Sequence, residues 1–549
     1  MKKIFKTAAL VTIMSCVERF IGFLYRIYLS RQAGAEALGL YQIALSVVGV
    51  IITMTASGIP VTVSRLMIKE KSAGRTGANA VTAGIITALI ISVPACAAFY
   101  FLQPILQNIF ADVRCYDVLS VILPGVVLTS VYACIRGFFW GNRYYGLYST
   151  IELIEEIAMC VAGVILTLGV TSPSVAAVNA GKAVLISYIV SFLLSTFAFI
   201  RKGGKLSNPK SYIRPLLSSS FPVTLTRTLS SMLGSVVAVV IPARLAAIGC
   251  SPAEITKNFG ELSGMAMPLL FIPSTVIGSL ALVSLPEISE SYYTLNTAKL
   301  KKGVTVAFDC SLFVTALIIP VFFGAGAEIC KFLYANDNAG KYLMLSAGIM
   351  LPMSVSMICC SVLNSLGKEK LTLLNFTVGA VSMLAAVFFL TPLIGVYSLI
   401  AGYAVNFLFS ATLDLIATEK SVFYSDKKKP FNKKTQPLDK KQSLGKKLIL
   451  FKRLLKTVFA IILSSVFTFL VKNLFVKFCS LFLTLLFTGI LSVIFTFVFL
   501  FVLSGNDVIE AFPSLKKIPL AGKIFSAERH SKIFNEKNTE NKRNKKIFS

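Results

Sequence analysis

Residues 480–503 read SLFLTLLFTGILSVIFTFVFLFVL, a run without one charged side chain. A bilayer core about 30 Å thick is crossed by roughly 20 helical residues, and a helix satisfies its own backbone hydrogen bonds there. The run is therefore a membrane helix. FAIILSSVFTFLV (459–471) repeats the pattern just before it. Applied to all 549 residues, the same criterion marks about 14 windows: 8–30, 38–58, 78–102, 118–138, 148–169, 176–200, 215–247, 262–285, 304–325, 342–364, 372–391, 394–418, 449–472 and 478–504. Composition agrees, with 55% apolar residues, 14% charged and a mean hydropathy of +0.77, whereas average globular chains are about 25% charged. Soluble-domain readings are excluded, and the expected fold is an all-α integral membrane protein.

A net charge of +29 raises nucleic-acid binding, but the position of the charge argues against it. Most Lys and Arg lie at the termini and in alternate connections, such as Lys69/Lys71/Arg75, Arg201/Lys202/Lys205/Lys210/Arg214 and Lys299/Lys301/Lys302, while loops 103–117 and 171–174 are acidic or neutral. This is the positive-inside asymmetry of a multi-pass protein. It predicts a cell-membrane protein with both termini cytoplasmic and membrane lipids, not nucleic acid, as neighbours. Segments 419–447 and 505–549 are polar, strongly basic and too poor in apolar residues to fold alone. They read as a cytoplasmic linker and tail apposed to anionic lipid.

One offset of 226 residues superposes several helix-ending features: Pro60 on Pro286, Cys134 on Cys360, Gly141 on Gly367, Gly169 on Gly395 and Ser172 on Ser398. The expected organisation is two homologous six-helix lobes, 1–200 and 215–418, joined by the basic linker 201–214. Helices 13 and 14 (448–504) follow as an addition. An even helix count per lobe makes the repeats parallel.

Charges inside a bilayer cost about 2.5–3.5 kcal/mol each on insertion scales, so they face a cavity or a partner. Glu18, Gly22 and Arg26 recur every four residues and share a helix face with Arg19 close by. This stripe is either a basic, water-accessible surface for an anionic group or an internal Glu–Arg pairing that pins the first helix. Arg136, with Tyr132 and Trp140, precedes Glu152, Glu155 and Glu156 on the next window; near the cytoplasmic boundary this is a pattern for an interfacial salt-bridge cluster more than for a substrate contact. Arg227, among Thr224, Thr226 and Thr228, is a further binding candidate. Glu18 and Asp309 are the carboxylates placed to bind a coupling proton or Na⁺. Catalysis finds no support: the one histidine, His530, lies in the tail, no Walker loop or metal spacing is present, and the eleven cysteines show no CxxC pattern. No cofactor and no enzyme activity are expected.

ERFIGFLYRIYLSRQAGAEALGLYQIA (18–44), TASGIPVTVSRLMIKEK (55–71) and FGELSGMAMPLLFIPSTVIGSLALVSLPEISES (259–291) resemble the stage V sporulation protein B branch of polysaccharide transporters. That branch belongs to the multidrug/oligosaccharidyl-lipid/polysaccharide exporter superfamily. The resemblance implies a MATE-like fold of two lobes in a V and a flippase for a lipid-linked peptidoglycan or polysaccharide precursor carried on polyprenyl pyrophosphate. It also implies a role in cell-wall or spore-cortex synthesis, alongside sporulation or cell-wall machinery. Set beside the related lipid II flippases, Arg19 and Gly22 match their first helix, and Arg26 and Arg65 match loosely. The substrate-binding set is thus Arg19, Arg26, Arg227, Glu18, Arg65 and Arg136. A cation-coupled multidrug exporter and a non-transporting sporulation scaffold are the alternatives.

Overall fold

The structure, a computed structural model, describes residues 2–72, 77–107, 110–423 and 449–511. The greater parts of the expected basic linker and tail, and Arg75, lie outside the described residues. All regular structure within them is helical, as a chain of uninterrupted apolar runs requires. In chain order the elements are α1 (Lys2–Ala56), α2 (Ile59–Ser72), α3 (Ala78–Phe101), α4 (Gln103–Gln107), α5 (Arg114–Gly141), α6 (Tyr145–Thr167), α7 (Pro173–Arg201), α8 (Lys210–Ala247) and α9 (Pro252–Phe259). A π-helical segment, Gly260–Ala266, leads into α10 (Met267–Tyr293). There follow α11 (Thr297–Tyr334), α12 (Asp337–Ser346), α13 (Met350–Ser365), α14 (Glu369–Ile394), α15 (Ser398–Phe423), α16 (Ile449–Phe475) and α17 (Leu481–Ala511).

Eleven helical stretches among the described residues are long and apolar enough to cross a membrane. The difference from about 14 windows has a physical origin in three places. Ile13–Lys71 and Glu369–Phe423 are single stretches of 59 and 55 residues, well beyond the roughly 20 that one crossing takes. The first contains Gly34 at φ 80, ψ 177, a left-handed value open to glycine. The second is interrupted by a short 3₁₀ turn, Gly395–Tyr397. The third place is α6, which is not among the eleven and carries Glu152, Glu155 and Glu156 within five residues. Gly169 and Gly395, paired by the 226-residue offset, both adopt left-handed φ, 74 and 61.

The chain divides into two compact units. The first comprises Met1–Phe271, Gly326–Ser346 and Val378–Asn406; the second comprises Ile272–Ala325, Ala347–Thr377 and Phe407–Ser549. In the first, Val63, Met67, Cys134 and Phe139 form a buried core, closed by an edge-to-face contact of Phe138 and Phe199 with ring centroids 4.8 Å apart. In the second, Val304, Phe308, Ile358, Val362 and Leu450 do the same.

Within the first unit, α1 beyond Gly34 crosses α9 and the π segment with backbones in contact. A Cβ on Gly39 would collide with the carbonyl of Thr256, and one on Gly260 with that of Ala35. Without an aqueous hydrophobic drive between helices, such close approach at small residues is what holds membrane helices together. Gly39→Val is expected to lower the thermal midpoint of the purified protein or prevent its insertion. Gly234→Ala, at a helical site where a Cβ meets nothing within 4 Å, is expected to leave the stability unchanged or raise it by up to about 1 kcal/mol. Thermal melting in lipid nanodiscs checks both.

Candidate functional site

The Glu18–Gly22–Arg26 stripe of α1 lies against α6. Gly22 makes the approach possible: the space a side chain would fill is occupied by the Glu156 carboxylate. Around it the electrostatic neighbours converge. Glu18 lies in the field of Arg19, Arg136, Glu152 and Glu156, and Arg26 acts on Glu156, Tyr41 and Tyr334. Arg26, Glu18 and the three α6 glutamates are half-buried, whereas Arg19 is exposed.

α5 supplies the other wall. Tyr132, Arg136 and Trp140 follow at helical spacing of four, so they share one face. Arg136 donates Nη1 to Oε1 of Glu152 at 2.8 Å, and its guanidinium lies 5.3 Å from the Trp140 ring centroid and 5.9 Å from that of Tyr132. Trp140 in turn meets Tyr148 edge to face at 5.8 Å. The hydroxyl of Tyr132, which is 3% exposed, has no hydrogen-bond partner among the described residues. Arg19, Arg26 and Arg136 thus share one neighbourhood with Glu18, Glu152, Glu155 and Glu156: three permanent cations and four carboxylates, lined by aromatic rings. Such a cluster can hold a group of either charge, because each sign has a counter-ion within reach to exchange.

The remaining expected residues lie elsewhere. Arg227 is exposed and donates Nη1 to the carbonyl of Ser57 at 2.9 Å, at the break between α1 and α2 where Gly58 sits against Ser220 and Thr224. Arg65 is exposed on α2. Asp309, in the second unit, is 8% exposed and forms an ion pair with Arg453 of α16. Glu419 of α15 accepts the backbone N–H groups of Leu450, at 2.9 Å, and Phe451 at the start of α16. A carboxylate at a helix N-terminus is favourably placed for the helix dipole. Asp414, 3% exposed, accepts from Asn375 at 2.7 Å and Ser356 at 3.1 Å, which makes these polar residues of the C-terminal half interhelical glue.

Sequence reasoning missed Arg453, Glu70 and Glu261. Glu70 is 2% exposed and accepts the N–H of Ala80 at 3.3 Å near the start of α3. Arg453 could have been flagged as an Arg near the start of an apolar window, but its partner lies 144 residues away.

The Arg136–Glu152 pair makes a direct prediction. Removing one partner leaves a partly buried charge without its counter-ion, at a cost of about 1–3 kcal/mol. Arg136→Met and Glu152→Met are therefore each expected to lower the melting midpoint, and the double variant to recover most of the loss. A double-mutant cycle with a coupling energy of about 1–3 kcal/mol is the expected result.

A family model described as polysaccharide biosynthesis protein matches residues 4–292. Stage V sporulation protein B of Bacillus subtilis (strain 168) is 24% identical over 413 residues, covering 72% of this chain and 80% of that protein. Among solved structures, lipid II flippase MurJ in an inward closed conformation superposes with a TM-score of 0.68 at 16% identity, over 90% of this chain and 99% of the other. An inward-facing multidrug resistance MATE family transporter of the MOP superfamily superposes with a TM-score of 0.61 at 15% identity, over 75% and 96% of the two chains. The fold is shared with these transporters.

Proposed function

Because the chain belongs to the polysaccharide biosynthesis protein family and has the fold of multi-pass membrane transporters, we propose that it is a flippase for a lipid-linked polysaccharide or peptidoglycan precursor, working by alternating access. The anionic pyrophosphate–sugar headgroup binds the arginines of the α1–α5–α6 cluster while the polyprenyl tail remains in lipid. Arg26 and Arg19 provide the charge, Arg136 is held ready by Glu152, and the exposed Arg227 and Arg65 add positive charge elsewhere. This reading carries with it two lobes, 1–200 and 215–418, fourteen crossings, cytoplasmic termini and a place in cell-wall or spore-cortex synthesis. The observation that supports it most is the half-buried Arg26: a permanent cation within a membrane span is retained for a partner of opposite charge.

A second reading rests on a specific feature. Four carboxylates against three arginines, with Tyr132, Trp140 and Tyr148 beside them, also suit an organic cation, as in a cation-coupled multidrug exporter. Aromatic faces attract cations as do carboxylates.

Vesicles reconstituted with the protein and a fluorescent polyprenyl-pyrophosphate sugar separate the two. Headgroup translocation is expected for the wild type, with at least about a tenfold loss, 1.4 kcal/mol in barrier, for Arg26→Glu and Arg19→Glu that still insert. Full activity of both variants contradicts the flippase reading, and uptake of an organic cation that is lost in Glu156→Gln supports the exporter.

A further inference from the structure

The second half of α1 and helix α8 lie side by side in the first unit, and their contacts fix a register. Ser235 donates its Oγ to the carbonyl of Ser46, and a Cβ on Gly49 would come within 4.0 Å of the Ser231 hydroxyl. Arg227 donates Nη1 to the carbonyl of Ser57, and Gly58 sits against Thr224. Numbers that rise along α1 fall along α8, so the two helices run antiparallel. Arg227, Ser231 and Ser235 recur every four residues and therefore share the α8 face turned to α1.

Beside this seam lies a cavity of about 270 Å³, with Val47 and Val50 of α1, Phe99 of α3 and Met232, Val236 and Val239 of α8 among its walls. Its one polar wall residue, Ser235, is tied to Ser46, so the interior offers hydrocarbon. Met232 and Val236 are exposed, which leaves the cavity an open, apolar mouth. An apolar void stays dry, and its lining atoms lack partners on one side. The three helices belong to stretches long and apolar enough to cross a membrane, where the chains of the surrounding lipids can supply those contacts.

One end of the seam carries charge. Arg227 lies roughly 8 Å from Met232 along α8, at the helical rise per residue. It is exposed and forms no ion pair among the described residues. Residues 38–58, 78–101 and 210–247 contain no Asp or Glu, so the three walls offer this cation no carboxylate. A permanent cation at the end of an apolar cavity matches an amphiphile with an anionic head and a hydrocarbon tail.

We propose that this seam is a binding site for a phospholipid of the bilayer: one acyl chain enters the cavity between α1, α3 and α8, and Arg227 holds the phosphate. The site is distinct from the α1–α5–α6 cluster. Its test measures lipid binding and does not depend on transport.

The test is native mass spectrometry of the full chain, delipidated in detergent and titrated with dioleoylphosphatidylglycerol or dioleoylphosphatidylcholine, with thermal melting of the same samples. The wild type is expected to hold one phosphatidylglycerol more tightly than any further copy, and more tightly than phosphatidylcholine, with a melting midpoint that rises as the site fills. Val50→Phe and Val236→Phe fill the cavity from its wall and from its mouth. Each is expected to weaken that binding at least about tenfold, since every methylene kept out costs roughly fourfold in affinity. The two are independent, and the one whose lipid-free midpoint matches the wild type decides. Val161→Phe, at an exposed position of α6, is expected to bind as the wild type does. Arg227→Gln is expected to weaken phosphatidylglycerol by up to about fivefold and to erase the preference over phosphatidylcholine. The proposal is overturned by a wild type without one tight adduct, by filling variants that bind like it, or by an Arg227→Gln that keeps the preference. Displacement of phosphatidylglycerol by an equal concentration of a polyprenyl phosphate also overturns it, by giving the cavity to an isoprenoid chain.

Discussion

The Arg136–Glu152 pair expresses the constraint on which the rest of the molecule depends: a charge withdrawn from water among packed helices is kept beside a partner of opposite sign in the chain. The 2.8 Å contact joins α5 to α6, Glu156 fills the notch at Gly22 on α1, and Arg26 acts on Glu156. Three helices are thereby bound through one polar cluster. The second unit follows the same rule with Asp309 and Arg453 and with Glu419 at the start of α16. Arg31 shows it once more, its guanidinium reaching the carbonyls of Phe332 and Leu333 at the end of α11.

A polar cluster of this kind also limits how tightly the surrounding helices can be fastened. Its charges are half-buried, and Arg19 is exposed, so the cluster is not sealed. Where fastening is needed the chain uses glycine instead, at Gly39 and Gly260, with backbones touching and no charge involved. The division of labour follows from energetics: close packing of small residues is specific and inert, whereas a half-buried ion pair is held by charge and responds to other charges nearby.

The helices were legible because hydropathy alone decides them: 480–503, without a charge, is unambiguous, and α17 begins at Leu481. The break at 31–37, between the windows 8–30 and 38–58, was legible too: Gly34 takes non-helical angles there, so that Lys2–Ala56 is two helices meeting at a kink. The stripe Glu18–Gly22–Arg26 was readable from spacing, and so was the α6 acidic face. That the two meet was not, since periodicity describes one helix and says nothing of which face finds which neighbour. Asp309 illustrates the limit: its intramembrane position suggested an ion site, and its partner, Arg453, occupies a helix far along the chain. Glu261 stood inside a recognisable stretch and still gave no signal, because burial, not residue type, makes it unusual.

The central claim is that the α1–α5–α6 cluster receives an anionic headgroup. Equilibrium binding of a fluorescent polyprenyl-pyrophosphate sugar to the nanodisc-embedded protein, wild type against Glu156→Gln, tests it most directly. Removing one carboxylate beside Arg26 frees that cation, so the variant is predicted to bind the pyrophosphate several-fold more tightly. Weaker or unchanged binding of the pyrophosphate, with loss of affinity for an organic cation, would contradict the account.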